Sequence, residues 1–207
     1  MTADYGAIGT ALRSAGWCRC EAFLPPQLTE ALREELVQRQ TAFAPAGIGR
    51  AAAQQLAPAV RADSTLWLDG GSPVQRNLFE QLETLRLALN RQLLLGLFDL
   101  EAHYACYAPG AYYERHLDTF RVNSFGDNAP QRILSMVLYL NESWRAQDGG
   151  ELVLYDHTHS ELARFAPESG SAVFFLSAEF PHAVLPTAAT RLSIAGWFRD
   201  RPIANGR

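Results

Sequence analysis

The amino-acid sequence predicts a mainly β fold with supporting helices, an antiparallel sandwich or jelly roll, and three observations carry that expectation. From Glu101 onward, about seven short strand-like runs follow one another, separated by Asp148-Gly149-Gly150, Pro167-Glu168-Ser169-Gly170 and Pro186-Thr187. Short strands at this spacing favour an antiparallel sandwich over a parallel sheet. The first hundred residues instead show helical periodicity. The 207 residues, 48% hydrophobic and 19% charged, can bury a substantial core without staples, and neither disorder nor a fibrous repeat is indicated.

In chain order, residues 7–14 form a short helix closed by Gly16, and residues 17–23 alternate as a strand. Pro25-Pro26 ends that strand and opens a helix through Gln40, with Leu28, Leu32 and Leu36 as its apolar stripe. Residues 41–60, rich in Ala, Gly and Pro, contain Gly47-x-Gly49-x-x-Ala52, a superficial match to a dinucleotide fingerprint. The context fails, since a helix precedes it and Pro45 stands where a strand should lead in, so the stretch reads as a mobile surface loop, part of a longer loop from Phe43 to Asp69.

The strongest helix follows. Ser72 caps it, Pro73 suits its first position, Gln75 completes a capping box, and Leu78, Leu82, Leu85, Leu89 and Leu93 recur at spacings of three and four until Gly96. That stripe is core rather than zipper, being too short for sustained heptads. The expected strands are 102–107, 112–117, 133–140, 151–155, 171–176, 182–185 and 192–199.

A formal net charge of -4 offers no field for a phosphate backbone, which argues against a nucleic-acid partner. Cys18, Cys20 and Cys106 have neither redox nor zinc spacing and read as reduced thiols of a cytoplasmic protein. No basic leader with an apolar run opens the chain, and no apolar stretch is long enough for a membrane span.

In E-R-H-L-D-T-F, His116 and Asp118 stand two residues apart, which on a strand puts them on one face. Alone, the pair is weak. A third ligand would come from His103, His157, His159 or His182. His182, in E-F-P-H-A-V-L-P, opens a late strand, and Arg191 follows nine positions later in A-T-R-L-S-I-A-G-W. The pattern H-x-D, a distant His, then an Arg is far more specific than its parts. Two His and one carboxylate make the facial triad of non-haem Fe(II) oxygenases, with three positions left open. A 2-oxo acid can fill two and O2 the third, while its far carboxylate needs a fixed bidentate cation, which Arg191 supplies. Tyr139 can donate its phenol to that carboxylate, or else is simply a packed core tyrosine. The rival cluster, Asp156 to His159, falls in a turn and lacks a matching arginine, and His103 reads as a core or pocket histidine.

These motifs, with A-C-Y-A-P-G-A-Y-Y-E-R-H-L-D, R-I-L-S-M-V-L-Y-L-N-E-S-W, G-G-E-L-V-L-Y and V-F-F-L-S-A-E-F-P-H-A-V, cover nearly all of the second half. They resemble the 2-oxoglutarate- and Fe(II)-dependent dioxygenases, and within them the prolyl hydroxylases. The likeness is closest to the oxygen-sensing prolyl-hydroxylase-domain enzymes and their bacterial relatives, with a weaker echo in V-R-A-D-S-T-L-W-L. The resemblance implies a double-stranded β-helix, cupin-like, in a single domain over 1–207, with helical support and a substrate loop in 1–100 and the β-helix core in 101–207. It implies Fe(II) at His116, Asp118 and His182, and 2-oxoglutarate on Arg191 and Tyr139. Tyr107 resembles the tyrosine facing the co-substrate, in a sequence one residue shorter between it and His116. Leu152 and Trp197 resemble pocket walls, and Arg61 and Asp63 resemble loop-end residues that order a lid; ordinary packing or a surface ion pair is the alternative for these four.

The implied reaction is oxidative decarboxylation of 2-oxoglutarate coupled to hydroxylation of a prolyl C4 by O2, with ascorbate in support. The implied partner is a protein with a proline in a flexible loop, elongation factor Tu as the leading candidate. Hydroxylation of a free amino acid or other small molecule is the alternative within the superfamily, and a non-enzymatic cupin-type metal or ligand sensor the alternative outside it. Oligomeric state is not legible in the chain.

Overall fold

Three α-helices and thirteen strands are present among the residues that the computed structural model describes, 3–48, 55–56, 60–119 and 130–201. Gly49 and Ala52 of the fingerprint-like stretch, part of the expected loop, and Phe120 at the end of E-R-H-L-D-T-F lie outside them. No helix among the described residues is long and apolar enough to cross a membrane.

Helix α1 (Tyr5–Ala15) begins where the Asp4 carboxylate accepts the Ala7 N–H, and it ends at Gly16, whose φ of 75° is left-handed. Helix α2 (Pro26–Gln38) stops two residues short of the expected Gln40, which starts a 3-10 turn. Helix α3 (Pro73–Leu93) is capped by Ser72 as expected, but the box is not closed by Gln75. The Gln75 amide instead accepts from the Asp69 and Gly70 N–H groups and donates to Glu35 on α2, so a side chain read as a local cap ties two helices together. The helix ends on Leu94, two residues before Gly96.

The strands are β1 (Trp17–Cys20), β2 (Ala44–Pro45), β3 (Gly47–Ile48), β4 (Gln55–Leu56), β5 (Ser64–Trp67), β6 (Asp99–Tyr107), β7 (Tyr113–His116), β8 (Arg132–Tyr139), β9 (Leu152–Tyr155), β10 (Glu161–Phe165), β11 (Ala172–Leu176), β12 (His182–Val184) and β13 (Arg191–Arg199). A seven-stranded sheet in the order β1-β11-β8-β13-β6-β5-β2 faces a four-stranded sheet, β10-β9-β12-β7, and β3 pairs with β4. Each of the pairings is antiparallel, the double-sheet jelly roll expected.

Alternation along the large sheet sorts its side chains between two cores. Tyr104, Leu134, Met136, Leu138, Phe174, Ile194 and Phe198 pack with Leu32, Leu36, Leu78, Leu82, Leu85 and Leu89 of the helices. Tyr107, Tyr139, Val173 and Phe175 face the other way, toward Leu152, Leu154 and Val184 of the small sheet. Burying each such leucine contributes about 1.5–3 kcal/mol, so the helices serve as the floor on which the large sheet is held flat against its partner. Cys18, Cys20 and Cys106 are free thiols, and burial, with the nearby Cys20, pushes the Cys18 thiol up to about 12, out of reach of thiolate chemistry.

Three expectations need correction. Residues 17–23 give a strand only to Cys20, because the chain turns away from β11 there. The segment read as loop supplies β2 and β5 to the large sheet, and β5 is in register with β6 from Ser64 opposite Cys106 to Trp67 opposite His103. Strand β10 also escaped the sequence reading, since Glu161-Leu162-Ala163-Arg164-Phe165 is a largely exposed sheet edge with no clean alternation.

The Gly149-Gly150 turn matters beyond its loop. Both residues have positive φ, 64° and 69°, and a Cβ on Gly149 would sit 2.6 Å from the Pro186 carbonyl oxygen. Gly149→Ala is therefore expected to lower the urea midpoint, by about 1–3 kcal/mol of stability. An unchanged midpoint would show that the turn relaxes without cost.

Candidate active site

Strands β7 and β12 lie side by side with His116 opposite His182, which is how two histidines far apart in sequence come together. Asp118 arrives differently. Strand β7 ends at His116, so Asp118 reaches the site from the bend beyond it and not by strand alternation. Its Oδ1 lies 3.6 Å from His116 Nε2 and its Oδ2 3.4 Å from His182 Nε2, with one ligand atom of each residue within 4.8 Å of the others.

Hydrogen bonds settle which nitrogens face inward. His116 Nδ1 is 2.8 Å from the Glu114 carbonyl and His182 Nδ1 is 3.0 Å from the Phe180 carbonyl. A carbonyl only accepts, so each Nδ1 carries the proton and each Nε2 presents a lone pair. Burial pushes His182 down to about 4, against the pull of Asp118, so it is neutral at physiological pH. Burial would raise the Asp118 carboxyl, but the neighbouring His182, His116 and Arg132 outweigh it and hold it well below the usual range. Two lone pairs and a carboxylate thus converge with no proton between them, an arrangement that a divalent cation satisfies. The Ser135 hydroxyl donates to Asp118 Oδ2 at 2.7 Å and is itself 2.8 Å from the Ser177 hydroxyl.

Arg191 opens β13, which runs between β6 and β8 and sets it opposite Tyr107 and near Tyr139. It is 1% exposed. Its Nε donates to the Gly150 carbonyl at 2.8 Å and its Nη1 to the Ser193 hydroxyl at 3.0 Å, while Nη2 has no partner among the described residues. The Tyr139 hydroxyl, equally buried, also has none. No ion pair joins Arg191 among the described residues. A buried guanidinium without a counterion costs several kcal/mol, and two orphaned donors beside it fit a carboxylate. A cavity of about 190 Å³ is lined by the two histidines, Asp118, Arg191, Tyr107, Leu152 and Trp197. Tyr139 is not among its lining residues.

Residues 102–199 match the 2OG-Fe(II) oxygenase superfamily. A solved prolyl-4-hydroxylase from Pseudomonas putida superposes with a TM-score of 0.83 at 38% identity, covering 96% of this chain and 100% of that one. The chain belongs to the prolyl hydroxylases of that superfamily. Human Egl nine homolog 1 is 30% identical over 151 residues and human Prolyl hydroxylase EGLN3 is 31% identical over 149, each across 68% of this chain. The chain spans 33% and 59% of the length of those two relatives. Iron(II) and 2-oxoglutarate, which the superfamily's name states, match the two halves of the cavity, a lone-pair triad and an uncompensated guanidinium.

In this prolyl hydroxylase fold, Arg61 and Asp63 form a sealed pair rather than a surface one. Arg61 Nε and Nη2 donate to the two Asp63 oxygens at 2.8 and 2.6 Å, and the Asp63 side chain is fully buried. Arg61 lines the cavity. His103 also lines it, edge-on to Trp67 at 5.1 Å, with Trp197 5.4 Å away. The rival cluster stays apart, since Asp156 Oδ1 is taken up by Thr158 and Ser160 in an exposed turn. Sequence reasoning missed Ser135, Ser193, Trp67 and Tyr113. Ser135 and Ser193 had a signal, since each shares a strand face with a residue already singled out, Tyr139 and Arg191.

Burial, aided by the Arg61 charge, pushes His103 down to about 4, as burial does His182. An unfolded histidine titrates near ~6.5, so below that pH the unfolded chain takes up protons that the folded chain refuses. Stability of the metal-free protein is present above ~6.5 and is expected to fall as pH drops toward ~4, by up to about 1.4 kcal/mol per pH unit for each histidine. His103→Leu should roughly halve that slope in urea unfolding. A slope that stays flat on acidification would show that neither imidazole is kept neutral by burial.

Proposed function

We propose that the chain is a peptidyl-prolyl 4-hydroxylase that couples decarboxylation of 2-oxoglutarate to hydroxylation of a protein proline. The observation that carries this reading is that Arg191 lines the cavity of the His116, Asp118 and His182 triad, and that its buried Nη2 and the equally buried Tyr139 hydroxyl near it have no hydrogen-bond partner among the described residues. A metal or ligand sensor of the same fold has no need of that clamp.

Iron(II), when bound, supplies the oxidative chemistry, in which 2-oxoglutarate and O2 become succinate and CO2 and a prolyl C4–H becomes C4–OH. The chain's own work is placement. The Nε2 lone pairs of His116 and His182 and the Asp118 carboxylate are the ligands, and Ser135 holds that carboxylate by its Oδ2. Arg191 and Tyr139 receive the far carboxylate of 2-oxoglutarate. Burial outweighs the Arg191 charge and raises the Tyr139 phenol, which therefore stays protonated and donates. Tyr107, Leu152 and Trp197 wall the co-substrate and keep water out of the cavity.

A polypeptide substrate is supported by the rim. Trp67 and Leu117 line the cavity yet remain 49% and 44% exposed, apolar surface that an extended chain can cover and a free amino acid leaves wet. The bacterial members that the sequence resembles act on a flexible-loop proline of elongation factor Tu, which makes that loop the candidate target. Such a target places the chain in the cytoplasm, with ascorbate supporting turnover.

Anaerobic Fe(II) and 2-oxoglutarate should give the weak visible charge-transfer band of the loaded site. Asp118→Ala should abolish it, and Arg191→Met should weaken 2-oxoglutarate binding by about 2–5 kcal/mol. Peptides from the elongation factor Tu loop, incubated aerobically, should gain the mass of one oxygen where free proline does not. Spectra unchanged in both variants would end the assignment, and oxygen gained by proline alone would move the substrate to the small-molecule class.

A further inference from the structure

The three metal-ligand candidates are not held equally. Asp118 and His182 are buried, the first hydrogen-bonded to Ser135 and the second packed on the Phe175 ring at 4.6 Å. His116 is half-buried, on the edge strand of the small sheet, with its Nδ1 donating to the Glu114 carbonyl and its ring 4.2 Å from that of His182. What faces the ring is Tyr113, stacked at 3.6 Å between centroids and 15° between planes. Over the same phenol ring, 4.3 Å from its centroid, lies the Arg61 guanidinium. The imidazole already covers one face at van der Waals distance, so the guanidinium occupies the other. Asp63 grips Arg61 from behind with both oxygens.

The backbone builds this column. Residues 60–62 pair with the free edge of β7, the Ala62 N–H donating to the Tyr112 carbonyl and the Glu114 N–H to the Val60 carbonyl, so that Arg61 and Tyr113 are direct cross-strand neighbours. We infer that Tyr113, clamped by Arg61, is a positioning residue for His116, an outer support that orients the ligand ring and favours its metal-bound form. This rests on the reading of His116 as a metal ligand. The physical reason lies in the ring electrostatics. Two electron-rich rings stacked face to face repel through their quadrupoles, whereas an imidazole that gives its lone pair to a divalent cation becomes electron-poor and is attracted to the phenol face. Arg61 keeps the phenol in plane by a cation–π contact, and Asp63 keeps Arg61 in place. Because coupling is reciprocal, metal at His116 also steadies the segment that carries Arg61, itself a wall of the cavity.

Mn(II) binding to the metal-free protein, followed by the loss of free-ion EPR signal, tests this without turnover. Tyr113→Leu is expected to weaken Mn(II) by about tenfold or more, the usual cost of removing an outer support of a ligand. Tyr113→Phe, which keeps the ring, should bind as wild type does, and Arg61→Gln should weaken binding in the wild-type background but add nothing to Tyr113→Leu. Thermal unfolding of each metal-free variant separates a lost fold from a lost support. Wild-type protein that takes up no Mn(II) would sink the metal-site reading itself. Wild-type binding with an undiminished Tyr113→Leu, a Phe variant as weak as Leu, or additive losses from Arg61 would each overturn the positioning role alone.

Discussion

A guanidinium sealed inside an apolar barrel, with one nitrogen unpartnered among the described residues, is the constraint on which the remainder of this structure turns. Arg191 has given two of its donor directions to the protein, to Gly150 and Ser193, and the third is left for something else. Burial of such a charge is tolerated only if the surrounding structure over-determines it, and here it does. The double glycine lets the Gly150 carbonyl reach Nε, and β13 is locked between β6 and β8, at the centre of the seven-stranded sheet. The helices and their leucines support that sheet from the far side.

The other half of the cavity obeys the same logic with the sign reversed. Three electron-pair donors converge, and the carbonyls of Glu114 and Phe180 have taken the only protons that could have softened them. One end of the cavity presents converging electron pairs and the other a positive charge, so a divalent metal and a dicarboxylate would complement the two ends together. Each unmet group is costly alone and complementary in the pair.

Much of this was legible in the chain. The spacing H-x-D, a distant His and an Arg beyond it singled out side chains that the fold brings together, because few residue types carry that chemistry, although Asp118 arrives from a bend and not by strand alternation. The leucine periodicity of α3 and the turn signals after Asp148 and Pro167 marked elements correctly because their causes are local. The reading failed where the cause lay far along the chain. Ser64 to Trp67 resembled loop until β6 was there to pair with it, Gln75 resembled a cap until Glu35 stood beside it, and β10 resembled surface because it is an edge.

By itself, then, the sequence determined the helices, most strands of the second half and the identity of the chemical groups, since these follow from side-chain periodicity and from the valence of histidine, carboxylate and guanidinium. Only the tertiary structure decided which way those groups point. The meeting of His116 with His182, the place of Arg191 between Gly150 and Tyr107 and the contact of Arg61 with Tyr113 all depend on backbone segments meeting across dozens of residues. Such meetings are set by register and packing, which no local pattern encodes.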